Sequence, residues 1–158
     1  MKYLSKQIVF REVPDEISLS YLISGCSLRC LGCHSADAWN PEAGAELSYE
    51  QLVQDLKKNE GWITCVLFMG GEWQQSKLVA YLDIVRNIGL KTALYTGQDH
   101  VHNDLRIRLD YLKTGPYKKE LGGLSSLTTN QKIINVKTGE LLNSHFFVHK
   151  EVTHDSAQ

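Results

Sequence analysis

The order of apolar and polar positions divides the chain into alternating strands and helices. Residues 17–24 alternate in polarity and are rich in β-branched types, which predicts a strand that Gly25 breaks. Behind Ser48, Leu52, Val53 and Leu56 recur at helical spacing. Gln51 stands three residues after the serine as in a capping box, so a helix is predicted over 49–58. Residues 62–68 are a nearly continuous apolar run, as in a strand covered on both faces, and end in Met69-Gly70-Gly71-Glu72. Leu78, Val79, Tyr81, Leu82 and Val85 define a second amphipathic helix that closes at Gly89. Residues 91–96 predict the next strand, 98–108 a short or irregular helix and 109–113 a fourth strand, followed by Thr114-Gly115-Pro116-Tyr117.

After Leu121 the pattern changes. Gly122, Gly123 and the hydroxyl-rich stretch to Thr129 read as a loop, and 131–136 and 141–148 read as two strands joined by a hairpin turn at 137–140. The tail from about residue 150 is polar and expected to fray. Residues 1–12 alternate charged and apolar side chains without the apolar core of a signal peptide, and residues 9–14 lead into the first strand. Strands alternating with helices imply parallel pairing, and four are too few for an eight-stranded barrel. The expectation is therefore a single α/β domain over residues 1–158, an open or incomplete parallel β/α barrel with a C-terminal β-hairpin.

Composition narrows the function classes. A chain of 158 residues can bury a core without disulfide staples. Its net charge of −1, without a lysine or arginine run, does not give the electrostatic footprint of a nucleic-acid binder. No apolar stretch approaches the roughly 18 residues of a membrane span. A cytoplasmic location without membrane attachment is expected, and in that reducing compartment clustered cysteines point to metal binding or catalysis.

Three of the four cysteines, Cys26, Cys30 and Cys33, follow the first predicted strand at the spacing C-x3-C-x2-C. Their thiolates are soft ligands suited to zinc, copper(I) or an iron–sulfur cluster. Structural zinc takes four ligands. His34 and Cys65 are the available fourth donors, but His34 adjoins Cys33, and Cys65 lies in an apolar strand, where a free cysteine behaves as a small hydrophobe. A [4Fe-4S] cluster held by only three cysteines keeps one iron open to a substrate, and the bacterial ferredoxin run, with its fourth cysteine close behind, does not match. Gly70-Gly71-Glu72 follows the next strand directly. Two glycines allow close approach to a ligand, and a carboxylate accepts from an ammonium group.

Together the cysteine loop and Gly70-Gly71-Glu72 resemble the signatures of the radical S-adenosylmethionine (SAM) enzymes, although Trp73 stands where that family commonly has proline. Gly32 before Cys33, with Ser24-Gly25-Cys26, His34, Trp39-Asn40, Tyr95-Thr96-Gly97, Gly115-Pro116-Tyr117 and Thr129-Asn130-Gln131-Lys132, resembles the activating proteins of the anaerobic (class III) ribonucleoside-triphosphate reductase. Thr114 departs from that group, in which an acidic residue precedes the Gly-Pro pair.

The resemblance implies a partial barrel of the radical SAM type, with Cys26, Cys30 and Cys33 as cluster ligands. Backbone donors from Leu28, Arg29 and Gly32 would surround the sulfurs. His34, Gly70, Gly71, Glu72, Tyr95, Thr96 and Gly97 would face SAM. The implied reaction passes one electron from the reduced cluster to SAM, giving a 5′-deoxyadenosyl radical that takes hydrogen from a backbone glycine of the partner reductase. An electron donor such as a flavodoxin would supply the reducing equivalent. Two other readings are an activase of a different glycyl-radical enzyme or a small-molecule enzyme such as a deazaguanine synthase. A further reading makes the cysteines a non-enzymatic zinc or electron-carrier module.

Overall fold

The computed structural model describes residues 1–147. Among the described residues seven strands form one mixed sheet, in the order β3 (Ala45–Glu46), β1 (Lys2–Val9), β2 (Ser18–Ile23), β4 (Cys65–Met69), β5 (Lys91–Tyr95), β6 (Tyr111–Thr114), β7 (Lys132–Asn135). Its centre is four parallel strands, β2 (Ser18–Ile23), β4 (Cys65–Met69), β5 (Lys91–Tyr95) and β6 (Tyr111–Thr114). These are the four strands read from the hydrophobic pattern. The helices also agree: α1 is Tyr49–Lys58, with Ser48 Oγ accepting from the Gln51 amide at 3.1 Å, and α2 is Gln75–Asn87, with Gly89 beyond it at φ +89°. The irregular 98–108 segment contains one short helix, α3 (Asn103–Arg106).

The sheet departs from expectation at both edges. β1 (Lys2–Val9) is a full strand, antiparallel to β2, and β3 (Ala45–Glu46) pairs with β1 outside it. At the other edge β7 (Lys132–Asn135) pairs antiparallel with β6, but the described residues of the second arm of the predicted hairpin, 141–147, are not a strand. Only a single bridge, Ile134 to Leu141, remains, followed by a 3₁₀ turn at Asn143–Phe146. The reason lies in Asn143. Its side chain accepts from the Ile133 amide at 3.0 Å and donates to the Gln131 carbonyl at 2.8 Å, and so satisfies the groups that a neighbouring strand would have paired. Val148 and the polar tail lie outside the described residues.

Side chains alternate across the sheet and separate two cores. On one face Leu19, Tyr21, Ile23, Val66, Phe68, Leu94 and Leu112 pack against α1, α2 and α3 through Leu52, Leu56, Leu78, Leu82, Val85 and Leu105. The Tyr21 hydroxyl donates to Asp55 at 2.7 Å, tying β2 to α1. The other face carries Cys65, Leu67, Ala93, Tyr111 and Ile133 under Val9, Val13 and Leu142. Among the described residues no helix is long and apolar enough to cross a membrane.

Asp110, just before β6, joins three segments. It accepts from the Thr92 amide at 2.9 Å and pairs with Lys137 at 2.6 Å, while its own carbonyl receives the Val136 amide. Burial opposes the charged form but is outweighed by Lys137 and the Thr92 amide, so the carboxyl titrates below its ordinary range. A folded-state value below the unfolded one gives stability above about pH 4 that is lost as pH falls through the folded value. Asp110→Asn should therefore lower urea stability at pH 7 by about 1–2 kcal/mol and by clearly less at pH 3. An equal loss at both pH values would show that the charge contributes nothing.

Candidate functional site

The carboxyl ends of the four parallel strands open into a cavity of about 330 Å³, at the lower end of the size range for small-molecule sites. Its floor is one level of the sheet. Leu22 pairs with Met69, Met69 with Tyr95 and Tyr95 with Lys113, and all four line the cavity. Each strand then leaves the floor through a different loop.

The first loop carries the cysteines. It begins at Gly25, whose φ of +101° is a glycine conformation. It folds back on a 3₁₀ turn at Ala36–Trp39, with the amides of Gly25 and Cys26 both donating to the Ala38 carbonyl at 2.7 and 3.1 Å. Arg29 takes a left-handed φ of +46° and Gly32 one of +76°. The loop places Cys26, Cys30 and Cys33 around the cavity, each half-buried. Burial pushes the Cys26 thiol up, and the amides of Leu28 and Arg29 pull it the other way. The Ser35 amide donates to Cys33 Sγ at 3.4 Å. Two of the three donors expected around the sulfurs, Leu28 and Arg29, thus act on Cys26. Gly32 instead faces Tyr117, whose ring lies 3.5 Å from where a Cβ would stand.

The second loop is the Gly-Gly turn. Gly70 and Gly71 have successive φ values of +87° and +104°, which side-chain-bearing residues rarely adopt. A Cβ on Gly70 would lie 2.6 Å from Trp73 Cη2, so the indole occupies the room that the glycine leaves. Glu72 and Trp73 open a 3₁₀ turn, Glu72–Gln74, and both line the cavity. Glu72 is only 9% exposed; its Oε1 accepts from Thr96 Oγ1 at 2.5 Å and, among the described residues, its Oε2 has no partner. Burial raises its pKa, against the Thr96 hydroxyl, its own amide and the charge of Lys113. Gly71 was expected at the ligand but does not line the cavity; it packs against Met1 and Ile23.

Tyr95, Thr96 and Gly97 reach the cavity from the end of β5. The Tyr95 hydroxyl is committed to the Glu12 carbonyl, so the ring is anchored on the helix-free face. Thr96 is buried, with its hydroxyl donating to Glu72 and accepting from the Gln98 amide at 3.0 Å. A Cβ on Gly97 would meet Leu28 Cδ1 at 2.5 Å, so this glycine admits the cysteine loop. His34 is exposed at the rim beside the Tyr117 ring, with centroids 5.5 Å apart. Asn130 and Gln131 hold the turn after β6 by donating to the carbonyls of Pro116 and Gly115.

Lys113 lines the cavity but was not singled out in the sequence. Its signal was a lysine ending an otherwise apolar strand, at the strand end where open α/β folds collect ligands. Cys65 is elsewhere. It opens β4 opposite Ser18, about 13 Å along the strand from Met69, and burial pushes its thiol up to about 12.

Among the described residues no three histidine, cysteine or carboxylate side chains converge closely enough to hold a single metal ion. The three thiols line one cavity together with Glu72, whose Oε2 has no hydrogen-bond partner among the described residues. The donor set fits an iron–sulfur cluster beside a ligand carrying an ammonium group.

A family model described as a 4Fe-4S single cluster domain matches residues 17–134. The chain is 36% identical over 78 residues to the pyruvate formate-lyase-activating enzyme of Clostridium pasteurianum, covering 46% of this chain and 33% of that protein. It is 34% identical over 76 residues to the 7-carboxy-7-deazaguanine synthase of Hyperthermus butylicus, covering 47% of this chain and 32% of that protein. The chain thus spans about a third of the length of the curated relatives it matches.

The Glu72–Thr96 contact can be tested without any cofactor. Thr96→Val keeps the shape and removes the hydroxyl that favours the carboxylate. The Glu72 carboxyl should then titrate higher still, as followed by carbon NMR. An unchanged or lower value would mean that the hydroxyl does not hold Glu72 in its charged form.

Proposed function

Because the chain belongs to the 4Fe-4S single cluster domain family, we propose that it is a radical SAM enzyme that activates a glycyl-radical enzyme, with the anaerobic ribonucleoside-triphosphate reductase as its target. The observation that carries this reading is the meeting of Cys26, Cys30, Cys33 and the half-satisfied Glu72 around one cavity. In this reading the four parallel strands are the incomplete barrel of that enzyme class. The activase relative supports the reaction type. The run Cys26-x3-Cys30-x-Gly32-Cys33-His34, with Trp39-Asn40 and Gly115-Pro116-Tyr117, supports the reductase as target.

Cys26, Cys30 and Cys33 would hold the [4Fe-4S] cluster, and Glu72 Oε2 would receive the amino group of SAM. When bound, the cluster and SAM supply one-electron chemistry that ends in removal of a hydrogen atom from the target. The chain contributes position and exclusion. Gly70 lets the backbone approach the ligand while Trp73 fills the space behind it. Thr96 fixes the Glu72 carboxylate in one orientation. Leu28, seated on Gly97, ties the cysteine loop to the end of β5. His34 and Tyr117 stand at the rim, where the target would enter. A flavodoxin-type protein in the cytoplasm would serve as electron donor.

A second reading, in which a small molecule replaces the protein target, is favoured by the similarity to a deazaguanine synthase. Both readings share the cofactors and differ only in what enters at the rim.

Anaerobic reconstitution should give about four irons per chain and SAM cleavage under a strong reductant. Cys30→Ala should abolish cleavage. Glu72→Gln should retain the iron and weaken SAM binding by about 10- to 100-fold, the range for losing a hydrogen bond to a charged group. Adding the anaerobic reductase should produce a glycyl-radical signal in its electron paramagnetic resonance spectrum. SAM cleavage without that signal would reject the reductase, and a signal in pyruvate formate-lyase instead would reassign the target. A colourless protein that takes up one zinc would reject the whole reading.

A further inference from the structure

Lys113 ends β6 in the cavity floor, on the face it shares with Leu22, Met69 and Tyr95. It is 9% exposed and the only charged member of that row. An ammonium has three donors to satisfy. Nζ finds the Gly115 carbonyl at 3.0 Å and the Thr96 carbonyl at 3.5 Å, the second too long to be strong. Among the described residues no carboxylate forms an ion pair with it. Glu72 shares the cavity but is bound to Thr96 instead. A buried cation with only dipoles around it is expensive unless an anion completes the site. Burial pushes the Lys113 ammonium down to about 8, while the charges of Cys30, Cys33 and Glu72 pull it back up. Cys26, Cys30, Cys33 and Glu72, the proposed cluster ligands and the proposed SAM acceptor, line the same cavity as Lys113.

We propose that Lys113 is the buried counter-charge of the thiolate-bound iron–sulfur cluster and sets its reduction potential. Reduction adds one negative charge to the cluster. A fixed positive charge in the low-dielectric floor stabilises the reduced form more than the oxidised one and raises the potential. The ammonium acts through space and transfers no proton. The inference rests on the radical SAM reading, since it requires the cluster to be present.

The test compares midpoint potentials of reconstituted wild type, Lys113→Met and Lys113→Arg, measured by dithionite titration and electron paramagnetic resonance. Methionine keeps the length and removes the charge, whereas arginine keeps the charge. Lys113→Met should lower the reduction equilibrium at least tenfold, about 59 mV for one electron, and Lys113→Arg should restore most of it. An unchanged midpoint in Lys113→Met with its iron intact overturns the proposal. So does an unchanged midpoint with weakened SAM binding, which would make the SAM carboxylate the partner of Lys113. If Lys113→Met does not hold iron, Lys113→Gln takes its place. Failure of both neutral variants, with retention in Lys113→Arg, supports the counter-charge role; failure of all three overturns it. A wild type that assembles no cluster refutes the radical SAM reading itself and is recognised before any variant is compared.

Discussion

In the parallel register, Leu22, Met69, Tyr95 and Lys113 stand at one level across β2, β4, β5 and β6, and each chain leaves the sheet just beyond that level. With neighbouring strands about 4.8 Å apart, the four exits lie within about 15 Å of one another. Residues separated by more than 80 positions, from Cys26 to Lys113, are thereby brought around one volume. The register is as strict as the packing beneath it. A slip of one residue in β6 would turn Lys113 toward the helices and Leu112 into the cavity, exchanging a core leucine for a charge. Leu19, Tyr21, Val66, Phe68, Leu94 and Leu112, locked against α1 and α2, are what hold that register.

The two faces of the sheet are built on different terms. The helix face is largely hydrocarbon and its buried hydroxyls are satisfied: Tyr21 donates to Asp55, which Lys6 and Gln51 complete at 2.7 and 3.0 Å, and Tyr81 donates to the Leu47 carbonyl at 2.5 Å. At the cavity, by contrast, polar atoms are left short of partners: among the described residues Glu72 Oε2 and the indole nitrogens of Trp39 and Trp73 have none. Each such group costs about 1–3 kcal/mol when buried unpaired. A fold tolerates that where a ligand completes the bonding, and stability is gained when the ligand arrives. The well-satisfied helix face offsets the under-satisfied cavity.

The parts of the fold that were legible in the sequence are those governed by local rules. Ser48 with Gln51 announced α1, and the apolar run 62–68 announced β4. β1 was missed because it is a flanking antiparallel strand with much of its length exposed, so its mixture of charged and apolar residues resembles a polar lead-in. The second hairpin arm was over-read because Leu141–Leu142 and Phe146–Phe147 are apolar, whereas the decisive residue is Asn143, whose amide replaces a strand's hydrogen bonds. At the site, Cys26, Cys30, Cys33 and Glu72 were legible as chemistry joined to spacing. Lys113 was not, since its meaning depends on which residues stand beside it across the sheet. Tyr95 was legible as a position, but its hydroxyl is tied to Glu12, a long-range contact invisible to any local pattern.

The fourth cysteine bears on why the proposed ligand set stops at three. Cys65 opens β4 and is paired in register with Ser18, so it lies at the end of the sheet opposite the cysteine loop. A parallel strand carries its residues at about 3.3 Å per step, and the four steps from Cys65 to Met69 put the thiol well below the cavity floor. No loop movement can bring it up, because β4 is paired along its whole length with β2 on one side and β5 on the other. Local burial also disfavours the thiolate that a metal needs, with the thiol pushed up to about 12. His34, the other candidate, is at the exposed rim beside Tyr117. In the proposed enzyme strand geometry therefore confines the cysteines that would hold the cluster to one loop and leaves the volume beside them to Glu72 and the substrate it would bind.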